Sequence, residues 1–245
     1  MFMCFKADPK KSTREYKIHD PNIRTNFQRD RDRILYSKSF RRLSGKTQVF
    51  VAGYDDHMRT RLTHTLEVAQ IAKTISFALG LDIDLTEAIA FGHDLGHTPF
   101  GHVGERTLNY IMNGCDKIRE IEINNDKKGF KHNLQGITVV KDLECLSLDY
   151  SGLNLTKECM WGIQSHTKMK YSQCENLIKK KTPFDEHSCK QFKGNCYCEG
   201  CNILYTTYYD KIVIDDKYFS FEAMVVKMAD DIAQRHHDIE DGMLV

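Results

Sequence analysis

Apolar and polar residues recur along most of the chain with a helical period. The run NIRTNFQRDRDRILYSKSFRRL sets Phe27, Ile34, Leu35 and Phe40 among many charges, and Asp20 followed by Pro21 has the form of an N-cap with proline at the first helical position. KTQVFVAG, which follows, is short and β-branched and reads as an extended connector. From about Met58 to Leu79 the helical spacing returns, with Gly80 as its stop. Asp84, with Glu87 three residues on, forms a capping box for LTEAIAFGHDLG, a helix expected to end near Gly96 and Pro99. Further helices are expected over Gly101 to Met112, Lys131 to Leu143, Thr156 to His166 and Ser220 to Asp241.

One region breaks this rhythm. Residues 168–216 hold a lysine run, five of the nine cysteines and the strand-like stretches ILYTTYY and KIVI. The pattern predicts a mainly α protein, a single domain over residues 1–245, with a small Cys-rich irregular or β insertion.

Composition adds limits. With 35 basic and 34 acidic side chains the formal charge is +1, so the chain as a whole does not advertise a nucleic-acid or membrane surface, and any anion must be held locally. No apolar run is long enough for a signal peptide or a bilayer crossing, so a cytoplasmic protein without a membrane partner is expected. In a reducing compartment the cysteines read as free or metal-bound thiols. Cys189, Cys196, Cys198 and Cys201, with His187 and Cys174 nearby, have spacing that a structural zinc ion could clip; free thiols in a variable insertion are the simpler reading. The lysines at 127–128 and 179–181 read as a solvated face.

Two histidines fall on stripes that should face the core. His64 shares a helical face with Val68, Ile71, Ile75 and Leu79, and His93 is in line with Leu85 and Ile89. A lone histidine there would be an ordinary hydrogen-bonded core residue. Asp94 beside His93 changes the balance, because a buried carboxylate is costly unless it is paired or binds a metal. Imidazole and carboxylate together suit Mn, Fe, Co, Zn or Mg, and two histidines with one aspartate leave the sphere open for another acidic ligand.

These residues carry a family likeness. The H…HD…D arrangement resembles the HD superfamily of metal-dependent phosphohydrolases. The stretches RTNFQRDRDRILYSKSFRRLSGKTQVF, RTRLTHTLEVAQIA, LTEAIAFGHDLGHTPFGHVGE, KHNLQGI and MADDIAQRHHDIEDG resemble, in order and rough spacing, deoxynucleoside triphosphate triphosphohydrolases of the dGTPase type. The match runs from about Tyr16 to Gly242. The resemblance implies a helical HD core that hydrolyses a dNTP, with dGTP favoured, at its α-phosphorus to a deoxynucleoside and triphosphate. It also implies a homo-oligomer, and weak single-stranded nucleic-acid binding as an additional property.

Position by position, the resemblance implies His64, His93, Asp94 and Asp230 as metal ligands, and His102 with Glu105 as the catalytic pair, His97 and His132 lining the phosphate side. A histidine held by a carboxylate has a fixed ring and a raised affinity for a proton, which suits general acid work on the leaving oxygen. Arg61, one turn before His64 on the same face, is placed to reach the phosphates. Gln48 and Asp238 match residues that hold the sugar 3′ hydroxyl. Gln234 stands where the family has a tyrosine packed on the sugar, which puts sugar discrimination in question. Relatives continue with further helices after the last motif, so the chain is expected to lack that C-terminal helical part. Two alternatives stay open from sequence: an HD phosphohydrolase acting on another nucleotide, and a weakly active nucleotide- or single-strand-binding regulatory protein.

The last helix argues against part of this assignment. Val225, Met228, Ile232 and Ile239 form its apolar stripe, with Asp230 and Gln234 nearly opposite, so periodicity places both in solvent.

Overall fold

Short polar side chains set where the helices start. The computed structural model describes residues 6–18, 23–48, 59–112, 130–167, 170–171, 203–204 and 213–243. Helix α1 (Asn26–Leu35) is capped by Thr25, whose hydroxyl accepts from the Gln28 amide while the Gln28 side chain accepts from Thr25 N–H. Asp20 and Pro21, expected to start it, lie outside the described residues. The segment is also not one helix, because Ser37 caps a separate short helix α2 (Lys38–Arg42).

Thr60 caps α3 (Arg61–Leu79), so this helix begins later than expected; Gly80 ends it at φ 69°, the left-handed conformation that glycine adopts without penalty. Helix α4 (Ile83–Gly92) is capped by Asp82, whose carboxylate accepts from Leu85 N–H. Asp84 lies within the first turn and pairs with Arg31 instead, at 2.6 Å. The helix closes at His93, and HDLGHTP is a turn rather than the helix's continuation. Helices α5 (Gly101–Met112), α6 (His132–Thr138) and α7 (Lys157–Ser165, capped by Thr156) follow, with one π-helical turn, Val139–Leu143, after α6. Helix α8 spans Phe221–Met243.

Of the insertion, Lys170–Tyr171 (β1) and Ile203–Leu204 (β2) pair in parallel. In KIVI, Ile214 is in no strand: its N–H donates to the Gln164 side chain at 2.7 Å, and its carbonyl accepts from the same amide. Cys189, Cys196, Cys198 and Cys201 lie outside the described residues, as do residues 49–53 of the connector. Among the described residues no helix is long and apolar enough to cross a membrane.

Helix α4 is the centre of the packing, against α1, α3, α7 and α8. Leu85, Ala88 and Ile89 are fully buried in it, with Phe27 and Ile34 of α1, Val68 of α3 and Ile163 of α7. Two apolar stripes read from sequence are displaced. In α8 the buried face is Ala223, Val226, Ala229, Ala233 and His237, whereas Met228 is 56% and Ile232 47% exposed. Small residues win this face because they let α8 lie close to α3 and α4, and Asp230, next to Ala229, is thereby turned inward. In α3 the inward line is Arg61, Thr65, Val68, Ala72 and Ser76, and Leu79 is out in solvent.

The amino-terminal segment is held by a buried charge pair. Arg14 donates to Asp30 at 2.6 Å and to the Asn154 carbonyl at 2.5 Å, and Asp30 also accepts from Thr156 N–H. Burial raises the Asp30 pKa, with Arg14 and Thr156 opposing it.

Candidate metal and phosphate site

Four helix ends converge on one cavity of about 330 Å³. The first turn of α3 contributes Arg61 and His64, the end of α4 and its turn contribute Asp94 and His97, α5 contributes His102, and α6 opens with His132. Lys227, Asp230, Asp231 and Gln234 close it from α8, and Gln48, His166 and Thr167 complete the wall.

Behind Asp94, His93 is completely buried, and its Nδ1 donates to the Ala90 carbonyl at 2.7 Å. That bond fixes the tautomer and leaves Nε2 as a buried lone pair with no hydrogen-bond partner. Around it stand Asp94 Oδ1 at 3.5 Å and Asp230 Oδ1 at 3.8 Å, while His64 Nε2 lies 3.0 Å from the same Asp230 oxygen. Ligand atoms of His64, His93 and Asp94 all lie within 4.8 Å of one another. A divalent cation fits this donor set: the unpartnered Nε2 needs a Lewis acid or a proton, and the two carboxylates need positive charge.

The electrostatics agree with that need. Burial pushes the His93 imidazole down, but Asp94 and Asp230 outweigh it, and the net shift is upward. Burial would raise Asp94, yet His93, Arg61 and His97 hold it well below the usual carboxylate range. Asp230 is lowered in the same way, burial being overcome by His64 and His93.

Beside this cluster runs a second line of groups. His102 is 57% exposed at its side chain, and its Nδ1 faces Glu105 Oε2 at 3.4 Å. Glu105 is buried, and its other oxygen accepts from His132 N–H at 3.2 Å. Burial works against the Glu105 carboxylate, but His102 and His132 hold it far below its ordinary value. His97 stacks on His132 with ring centres 3.7 Å apart, and burial and the neighbouring His132 keep its pKa well down.

Most of the sequence-named residues meet here. Arg61 is buried and donates to Asp94 Oδ2 at 2.6 Å, so it braces that carboxylate as well as facing the cavity. Gln48 reaches the wall with a buried Oε1 that has no hydrogen-bond partner. Gln234 lines the cavity, but Asp238, one turn further on, is exposed and is not among the lining residues.

Sequence reasoning missed His166, Thr167, Lys227, Asp231 and Lys46. Lys46 donates to the carbonyls of Leu95 at 3.2 Å and His97 at 2.5 Å, tying residues 46–48 to the turn that follows α4; burial, with Arg61 and Arg42, lowers its pKa to about 8 against the pull of Asp94. The signals existed. His166 follows Ile163 on the buried face of α7, and Lys227 precedes Asp230 by one turn just as Arg61 precedes His64.

A helical core that brings a histidine, a His-Asp pair and a distant aspartate to one point defines a class, and this chain belongs to it: the family model described as HD domain matches residues 61–235. Within that family the chain is similar to proteins named deoxyguanosinetriphosphate triphosphohydrolase-like protein. It is 59% identical to that of Caldanaerobacter subterraneus subsp. tengcongensis over 146 residues, 60% of this chain and 38% of that one. The Bartonella quintana protein is 43% identical over 224 residues, 90% of this chain and 47% of the relative. For Caulobacter vibrioides the figures are 42% over 240 residues, 98% and 52%. The chain thus spans about half the length of the curated relatives it matches along nearly all of itself.

Proposed function

We propose that this chain catalyses metal-dependent hydrolysis of deoxynucleoside triphosphates, dGTP favoured, to a deoxynucleoside and inorganic triphosphate. The observation that carries the reading is the His93 Nε2 lone pair, buried without a partner between two carboxylates and next to a cavity that also exposes His102. The names of the relatives support the choice of nucleotide.

His64, His93, Asp94 and Asp230 would hold the divalent cation, and their donor set accepts Mn, Mg, Fe, Co or Zn. When bound, such an ion polarises a phosphoryl oxygen and lowers the pKa of water. In the reaction, water oxygen adds to the α-phosphorus and the bond from that phosphorus to the 5′ oxygen breaks, so the leaving oxygen must take a proton. His102 is assigned that donation: Glu105 occupies its Nδ1, and Nε2 is the nitrogen left for substrate. Arg61 and Lys227 stand on different walls of the cavity and supply positive charge for the phosphates. Lys227 makes no ion pair among the described residues, so its charge is uncommitted. Gln48 is assigned to the sugar, its Oε1 accepting from the 3′ hydroxyl, and Gln234 flanks the same space.

The test is product chromatography of purified protein with Mn²⁺ or Mg²⁺ and each dNTP in turn. Tripolyphosphate and the deoxynucleoside are expected together. Orthophosphate or pyrophosphate in their place, or no tripolyphosphate with any dNTP, would overturn the assignment.

A further inference from the structure

We propose that His166 is a positioning residue: it holds His132 as the form protonated on Nε2, and so fixes the imidazole platform on which His97 rests. Its effect on turnover rests on the hydrolase reading above, whereas the proton assignment stands on hydrogen-bond geometry alone.

His166 closes α7 and is buried. Its Nδ1 lies 2.6 Å from the Ile163 carbonyl, and a carbonyl only accepts, so Nδ1 carries a proton. Its Nε2 lies 3.0 Å from Nε2 of His132, and one of the two must donate. For His166 to donate it would need protons on both nitrogens, a buried cation that makes no ion pair with any carboxylate among the described residues. His166 is therefore the acceptor, and His132 Nε2 is the donor.

In this orientation one edge of the His132 ring is hydrogen-bonded, while its buried Nδ1 has no hydrogen-bond partner. Nε2–H points to His166, and Nδ1 lies 3.1 Å from Glu105 Oε1. Nε2 is thus committed to His166 and Nδ1 faces Glu105, and the face of the ring carries His97. His97 lies on that face at 3.7 Å and 18° between planes, with its own Nε2 3.3 Å from Asp94. Without the His166 lone pair, the His132 Nε2–H would be a buried donor lacking a partner, and the ring would turn to find one. His97 would lose its support in the same movement.

Long-range ¹H–¹⁵N imidazole correlations on the full chain with diamagnetic Mg²⁺ read the protons directly. In the unaltered protein His132 should show a protonated Nε2 protected from exchange, and His166 a proton on Nδ1 only. His166→Leu should abolish the His132 signature and lower kcat by about tenfold or more, the equilibrium cost of one buried unpaired donor, with KM and Mg²⁺ binding unchanged. His166→Gln, whose amide oxygen can take the place of the Nε2 lone pair, should restore most of both. A proton on His166 Nε2 in the unaltered protein overturns the proposal, and that spectrum needs no variant to fold. So does His166→Leu with an unchanged His132 pattern, or with lost Mg²⁺ binding, which would mean that His166 acts through His93. Absence of dNTP turnover would remove the hydrolase reading and leave the spectrum to judge the proton assignment.

Discussion

Gly96 lies inside the HD turn, between Asp94 and His97, where the backbone of α6 crosses it at contact distance. A Cβ added there would lie 2.8 Å from the Gln135 carbonyl carbon, and closer still to the His132 oxygen and the Gly136 nitrogen. All three are backbone atoms, so no side chain can swing aside, and either the turn or the start of α6 must move by on the order of 1 Å to restore ordinary contact. Gly96→Ala is therefore expected to act twice. Overpacking against backbone costs about 3 kcal/mol, the upper part of its usual range. In a chain of this size that is roughly 6–12 °C in Tm. Because α6 carries His132, the same displacement separates it from His97, and misplacement by about 1 Å is worth on the order of a hundredfold in turnover. Calorimetry and steady-state kinetics on the variant measure both effects. Gly45→Ala is the control, since a Cβ there meets nothing within 4 Å, and its Tm and kcat should be those of the unaltered chain. Equal losses in the two variants, or a Gly96→Ala chain with unaltered Tm and kcat, would refute the reasoning.

Three further outcomes are expected. Asp230→Ala should abolish Mn²⁺ binding in titration calorimetry while Asp231→Ala retains it, because Asp230 faces His64 and His93 and Asp231 is exposed. If His102 is the proton donor proposed above, His102→Ala should bind Mn²⁺ as the unaltered chain does and yet lose on the order of 10²–10⁴-fold in kcat. Arg14→Met strands the Asp30 charge in the core and should cost about 3–5 kcal/mol in urea unfolding; Arg14→Met with Asp30→Asn together should recover part of it.

The sequence carried the helices and the meeting of His64, His93 and Asp94 well for a common reason: both are written in local spacing. His93 breaks a buried stripe with Leu85 and Ile89, and His64 is buried one turn before Val68 although the far end of its stripe, Leu79, is exposed. The misplacements arise where a tertiary contact outranks period. In α8 the larger apolar side chains Met228 and Ile232 mark the outer surface, because close approach to α3 and α4 selects the small side chains of Ala229 and Ala233. A wheel weighted by hydrophobicity counts methionine above alanine and turns Asp230 the wrong way; the family motif, which records position rather than polarity, turns it back. His166 and Lys46 were missed for another reason. Each acts on a group remote in sequence, His132 in one case and the Leu95 and His97 carbonyls in the other, and no local pattern states such a pairing. Asp238, matched to the sugar by its place in HHDIEDG, lies four residues past Gln234, exposed and outside the cavity lining, so its motif position and its surroundings give different indications. Residues whose role depends on where a helix ends or how closely two backbones pass are thus the ones for which coordinates are needed, and Gly96, read first as a simple chain turn, is the case where that distinction has a measurable cost.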